Sequence, residues 1–435
     1  MRRLSKSRRC SLVVLVAIGL GCGLAGAELA VQPEDRTSYL ILPDGGRVYD
    51  DELAARVAEL VTATTPDGLI FVFTQCSSGG MLDELATALP GEVNAALFSA
   101  SRYDEPAWMA ASWDPPGCLR GCGLSRPESY FAWALARLMG QGYPLGEVAE
   151  AVEELDPAAP GGPATDPAIC PGESRVDPPE HPQSLFLGQG KLLRLGVTPA
   201  GAPISPSALA AVLVVGEADT IAMWNDLDRY YTLLLSCGFT PEGIMVLAGE
   251  GPGSQVELSD PEGKVFVVPD YVDAPATRTE VFSALELALG RTPPPEQFVF
   301  WCTGHGDEER RLRWAEAIPL AAGAEVRGRL DSTDDTLLDG SLYELFSFPG
   351  EAGARISVTL SSREFDAFLW LYDGERQVVA SDDDSGGGTD AYISLTLPAS
   401  GMYYVVVNTY SEGERGEYLL SLQVGPQGAG GKVKP

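Results

Sequence analysis

Positive charge is what this 435-residue chain has least of: 30 lysines and arginines stand against 61 aspartates and glutamates, a formal net charge of −31. Nucleic acids and anionic membrane surfaces are themselves polyanions, so neither is an expected partner; basic peptides and divalent cations are compatible. Histidine is scarcer still, with two residues, His181 and His305. Beyond the first 27 residues there is no apolar run near the roughly 20 residues a bilayer crossing needs, so the chain does not read as an integral membrane protein. Disorder is equally excluded, because hydrophobic residues make up 45% and charged residues only 21%. A chain of this length outgrows a single hydrophobic core, and two folded domains are expected.

The amino terminus reads as a secretory signal over residues 1–27. Met1-Arg2-Arg3 through Arg8-Arg9 is basic, Leu12 to Leu24 is apolar, and Ala25-Gly26-Ala27 is a small-residue cleavage pattern. Cys22 follows Gly19-Leu20-Gly21, which sets leucine one place too late for a lipoprotein anchor. The mature chain is therefore expected to be secreted or extracytoplasmic. Its cysteines are Cys76, Cys118, Cys122, Cys170, Cys237 and Cys302. Only Cys118, Cys122 and Cys170 lie in Pro/Gly-rich loops suited to bridging, whereas Cys237 and Cys302 read as core. Cys118 and Cys122 have no second pair beside them to complete a zinc site.

From Tyr39 to about Pro319, short apolar runs alternate with helical periodicity, the pattern of a parallel sheet covered on both faces. One half spans 38–189, a linker runs over 190–207, and a second half spans 208–314. After that the period changes to two, as in Arg355–Leu360 and Met402–Val407, with Asp/Gly/Ser turns between. Residues 318–425 thus read as an all-β sandwich and 426–435 as a flexible tail.

Two strand ends stand out. Phe298-Val299-Phe300-Trp301-Cys302-Thr303 runs into Gly304-His305-Gly306-Asp307, and Leu69-Ile70-Phe71-Val72-Phe73 runs into Thr74-Gln75-Cys76-Ser77-Ser78-Gly79-Gly80. Each places a reactive side chain at the carboxyl end of a buried strand, where ligand crevices of open α/β sheets lie. A thiol is mostly protonated at neutral pH, so a cysteine nucleophile needs a nearby imidazole or local positive potential. His181, before Pro182-Gln183, reads as loop surface.

Taken out of order, these pieces resemble the caspase-like clan of cysteine peptidases, which includes caspases, metacaspases, legumain and gingipains. Val212–Gly216, the helix at Trp224–Leu227, Gly238 to Leu247 and Thr303-Gly304-His305-Gly306 match the clan's first half; Gln75–Gly80 and Glu128–Leu135 match its second. The clan sets histidine before cysteine and this chain does the reverse, so the resemblance implies a circular permutation, opened between the histidine strand and the next helix. The linker over 190–207, at about 3.3 Å per residue, reaches about 60 Å, enough to join the old termini. Residues 318–425 look like a bacterial pre-peptidase C-terminal domain, on the evidence of Phe365–Leu369, Ser381–Asp384 and Pro398–Tyr404.

The resemblance implies an endopeptidase in which Cys76 attacks the scissile carbonyl and His305 protonates the leaving amine, with the backbone N–H groups of Cys76 and Gly306 as oxyanion hole. A polypeptide is the implied substrate and no cofactor is required. Clan members that cleave after Arg or Lys often carry an acid two residues before the cysteine, where this chain has Thr74. Ser99, Ser101 and Asp104 fall on the strand that lines the clan's specificity pocket, and Asp104 suits a basic side chain. In the sandwich, Asp366, Asp382, Asp383, Asp384 and Asp390 are either ligands for Ca²⁺ or solvated turn acids. Two other functions fit the same residues: an inactive surface protein that binds a partner, the sandwich taking a cell-surface or extracellular ligand, and a transpeptidase using the same dyad.

Overall fold

The computed structural model describes residues 36–109, 124–170, 175–176, 178–259, 265–310, 312, 314–337 and 339–425. The leader, Cys118, Cys122 and the tail lie outside these residues. The first region contains β1 (Arg36–Ile41), β2 (Arg47–Tyr49), α1 (Asp50–Thr64), β3 (Gly68–Phe73), α2 (Gly79–Ala88), β4 (Ala95–Ser99), α3 (Tyr130–Met139), α4 (Leu145–Leu155) and β5 (Gln183–Leu187). It continues with β6 (Leu209–Val215), α5 (Ile221–Ser236), β7 (Ile244–Ala248), β8 (Gln255–Glu257), β9 (Val265–Val267), α6 (Arg278–Leu289), β10 (Gln297–Thr303) and β11 (Gly306–Arg310).

The main sheet has six strands in the order β5-β4-β3-β10-β6-β7. Its strands are parallel except β5, which runs antiparallel on the edge. β3, β6 and β10 are buried along their whole length, and this is why they read as unbroken apolar runs rather than alternating ones. One face packs against α3, α4 and α5 through Phe131, Leu135, Val148, Leu227 and Trp301. The other packs against α1, α2 and α6 through Leu53, Leu82, Leu285, Phe71 and Phe300. The result is a three-layer α/β unit with β3 and β10 side by side at its centre.

Three features depart from the sequence reading. β1 does not join the main sheet; it forms a separate three-stranded sheet, β11-β1-β2, against the strand that leaves His305. β8 and β9 form a small hairpin of their own. The linker region is not a slack tether either, because Leu193, Leu195 and Ile204 are buried and the Gln297 side chain bonds the backbone at both Arg194 and Gly196.

The second region is a sandwich of β12 (Ile318–Pro319), β13 (Glu325–Leu330), β14 (Asp335–Thr336), β15 (Leu342–Gly350), β16 (Arg355–Ser362), β17 (Ala367–Tyr372), β18 (Val378–Asp382), β19 (Ala391–Thr396), β20 (Gly401–Thr409) and β21 (Gly416–Val424). One sheet runs β12-β15-β20-β17-β18, with β14 on β15; the other runs β13-β21-β16-β19. Alternate residues Ile356, Val358 and Leu360 of β16 meet Leu369, Leu371, Val405 and Val407 in a shared core. No helix among the described residues is long and apolar enough to cross a membrane.

Candidate active site

The register of the two central strands sets the site. Phe73 of β3 lies opposite Cys302 of β10, and each chain then runs three residues further, to Cys76 and to His305. The Thr74 N–H and hydroxyl both donate to the Cys302 carbonyl at 3.0 Å, so the strand ends stay tied beyond the ladder. The Cys302 thiol is spent on the Gln75 carboxamide at 3.3 Å. Gly306 then closes the distance between the loops: a Cβ there would lie 2.9 Å from the Cys76 carbonyl oxygen and 2.5 Å from Gln75 Cγ. The cysteine and histidine loops are therefore packed directly on each other.

Cys76 enters a strained turn. Ser77 holds φ 55°, a left-handed conformation unusual for serine, and its N–H donates to the Glu105 carbonyl at 2.9 Å. Helix α2 begins at Gly79, where a Cβ would sit 2.6 Å from the Tyr103 nitrogen, so only glycine lets the helix start this close to the 102–105 loop. The Sγ is half-buried against Ala107, accepting its N–H at 3.3 Å, with the Ala107 carbonyl 3.8 Å away. Burial pushes the Cys76 thiol up, the Ala107 N–H opposes that, and the Asp307 carboxylate adds to it. Burial and Asp307 thus act against the thiolate at this sulfur, and the Ala107 N–H acts for it.

His305 is fixed by its backbone. Its N–H donates to the Glu217 carbonyl and its own carbonyl accepts the Ile41 N–H, both at 3.0 Å, so β1 braces the loop from one side and the end of β6 from the other. Nε2 lies 2.9 Å from Asp219 Oδ1. With Nε2 carrying the proton toward that carboxylate, Nδ1 is left as the basic nitrogen. Asp219 was not singled out from the sequence. The signal was there, since it stands four residues past β6, at the same edge of the sheet as Cys76 and His305.

The other candidates fall differently. Thr74, Ser99 and Ser101 are buried, and the Thr74 and Ser99 hydroxyls bond to backbone carbonyls of Cys302 and Ser101, so these side chains are turned into the protein. Asp104 is partly exposed, 3.8 Å from the Arg102 guanidinium. His181 is not free surface: Nδ1 lies 3.0 Å from Glu105 Oε2, which ties it to the loop that walls in Cys76. No three Asp, Glu, His or Cys side chains converge on a possible metal position among the described residues. In the sandwich, Asp382 instead accepts the Ser385 and Tyr392 N–H groups and Asp390 accepts that of Ser362. Cys170 is disulfide-bonded, with its partner outside the described residues, while Cys76, Cys237 and Cys302 are free.

Residues 343–409 match the bacterial pre-peptidase C-terminal domain family. Among solved structures, the pre-peptidase C-terminal domain of a collagenase from Bacillus anthracis is 18% identical, covering 25% of this chain and 95% of that one at a TM-score of 0.21. A periplasmic inhibitor of g-type lysozyme from Aeromonas hydrophila is 17% identical, covering 25% and 96% at a TM-score of 0.20. No curated protein matches the chain. The pre-peptidase C-terminal domain therefore accounts for the sandwich, and the α/β unit must be read from its own geometry.

Proposed function

We propose that this protein is an extracytoplasmic cysteine endopeptidase whose α/β unit is a circularly permuted caspase-like domain. The observation that carries the reading is the convergence of Cys76 and His305 at the tips of the neighbouring parallel strands β3 and β10, with Gly306 packed against the Cys76 carbonyl. The pairing of β1 with β11 supports the permutation: Arg36 lies opposite Arg310 and Leu40 opposite Gly306, so the described start of the chain meets the strand leaving the histidine. The pre-peptidase C-terminal domain adds only association, since a fold does not carry a reaction.

In the reaction we assign, the substrate amide enters between sulfur and imidazole. Sγ bonds to the scissile carbonyl carbon while the S–H proton passes to His305 Nδ1. The backbone N–H groups of Cys76 and Gly306 receive the oxyanion, each such donor being worth about 3 kcal/mol. The C–N bond then breaks as the imidazolium protonates the departing amine, and water, deprotonated by the same imidazole, hydrolyses the thioester. Asp219 holds the ring in place through its contact with Nε2.

The test is turnover of a peptide library together with labelling by a peptide-based electrophile. Wild-type protein is expected to cleave and to label at Cys76, while Cys76→Ala and His305→Ala lose cleavage. Partner binding retained by both variants, with no cleavage by wild type, would replace the enzyme with a binding protein; capture of an added amine in preference to water would make it a transpeptidase.

A further inference from the structure

Behind the Cys76 loop lie two carboxyl groups with no cation. Asp156, just past α4, is 1% exposed and Glu180, before β5, is 0% exposed; neither forms an ion pair among the described residues. Glu180 Oε2 accepts the Trp108 N–H at 2.8 Å, and Asp156 Oδ1 accepts the Ala158 N–H at 2.9 Å. That leaves one buried oxygen on each, Glu180 Oε1 and Asp156 Oδ2, without a donor. Burial pushes both groups up, Asp156 to about 6 and Glu180 well above the usual carboxylate range, and the Asp156 charge adds to the rise at Glu180.

The pair reaches the sulfur through one peptide unit. Ala107 donates its N–H to Cys76 Sγ, and the next N–H, that of Trp108, is the one Glu180 holds. We propose that Glu180 is a positioning residue for the Cys76 thiol, its carboxyl group holding the Ala107–Trp108 backbone against the sulfur. This rests on the reading of Cys76 as nucleophile but is testable without it. Losing the Trp108 anchor releases Ala107, and with it the N–H that favours the thiolate; Asp307 on the far side is left unopposed. Glutamine is isosteric with glutamate, and its side-chain carbonyl accepts the same Trp108 N–H.

The experiment is the pH dependence of Cys76 alkylation by iodoacetamide on the full chain, read by mass spectrometry at that residue because Cys237 is also free. Glu180→Gln is expected to keep the wild-type midpoint. Glu180→Leu is expected to move it upward and to slow alkylation at pH 7.5 about tenfold, the size of one charge-assisted hydrogen bond. An unchanged midpoint in Glu180→Leu overturns the proposal, as does a glutamine variant displaced as far as the leucine one. Should the leucine variant not fold, Glu180→Met takes its place with the same expected upward shift, and an unchanged midpoint there overturns the proposal. Failure of the peptidase reading would appear instead as absent peptide cleavage beside an alkylation profile that still shifts.

Discussion

The sandwich and the carboxyl edge of the α/β sheet follow opposite rules. In the sandwich, alternation along β16 and β21 sends every second residue inward, and the aspartates of its turns accept nearby backbone N–H groups. At the sheet edge the chain breaks local preference repeatedly: a serine at positive φ, a half-buried thiol, two buried carboxyls without a cation, and a glycine with no room for a methyl group. Departures of that kind cost stability and persist where the surrounding fold over-determines them, which is why they support the site proposed above. The sandwich has its own irregularity in Arg376 at φ 61°, but that residue sits in a tight hairpin turn.

The contrast is broken most directly at Gly306. Gly306→Ala forces a Cβ into the Cys76 carbonyl, Gln75 and the Tyr39 carbonyl at once, so the two loops must separate. Peptide cleavage is expected to fall by about a hundredfold or more, since displacement of a catalytic group by about 1 Å costs that much. Asp384→Asn on an exposed sandwich turn is the matched control, with cleavage and unfolding midpoint unchanged. Equal tolerance at both positions would erase the distinction.

Asp219→Asn comes next. The side chains of the His305–Asp219 pair are 43% and 42% exposed, so the pair contributes little to stability, and the unfolding midpoint should hold. Its effect falls on the imidazole instead, because an amide supports neither the right tautomer nor the imidazolium. A fall in kcat of at least about tenfold is expected, smaller than where the carboxylate is fully buried. Steady-state kinetics beside thermal unfolding separates the two readouts.

Much of this was legible in the residues, for a physical reason. A strand buried on both faces must be apolar throughout, so Leu69–Phe73 and Phe298–Thr303 announced themselves, and the abrupt change to small and polar residues marked the sheet edge. Partnerships beyond the main sheet were not legible. Tyr39–Leu42 is too short to show which sheet it joins, and only the fold puts it on β11. Burial of acids is invisible locally: nothing in the residues around Glu180 or Asp219 marks either one, yet one is sealed and the other holds the histidine. Ser99 and Ser101 go the other way, as polar residues at a strand end that are buried.

A smaller effect tests the electrostatics of the thiol. Asp307 raises the Cys76 thiol, so Asp307→Asn should lower the midpoint of alkylation and speed reaction near pH 8 by a few fold. The sign follows because removing a negative charge favours the thiolate. An unchanged profile would mean that burial alone sets the thiol, leaving the edge less polarised than its charges suggest.

The smallest effect concerns the boundary between the two regions. The hairpin between β17 and β18 reaches the α/β unit at β2: Gln377 accepts the Arg47 N–H at 2.7 Å, and Arg376 pairs with Asp51 at 2.7 Å while lying over Trp314. β2 pairs with β1, and β1 donates to the His305 carbonyl, so the sandwich touches strands that back the histidine. Arg376→Ala removes one half-exposed ion pair and one ring contact, about 1 kcal/mol together, and should lower the unfolding midpoint by about 2 °C. Because Gln377 still holds β2, and β1 is held independently by its pairing with β11, kcat is expected to stay within about twofold. A collapse of kcat at an unchanged midpoint would instead make the hairpin part of the support for His305, and the regular sandwich could no longer be set apart from the irregular edge it adjoins.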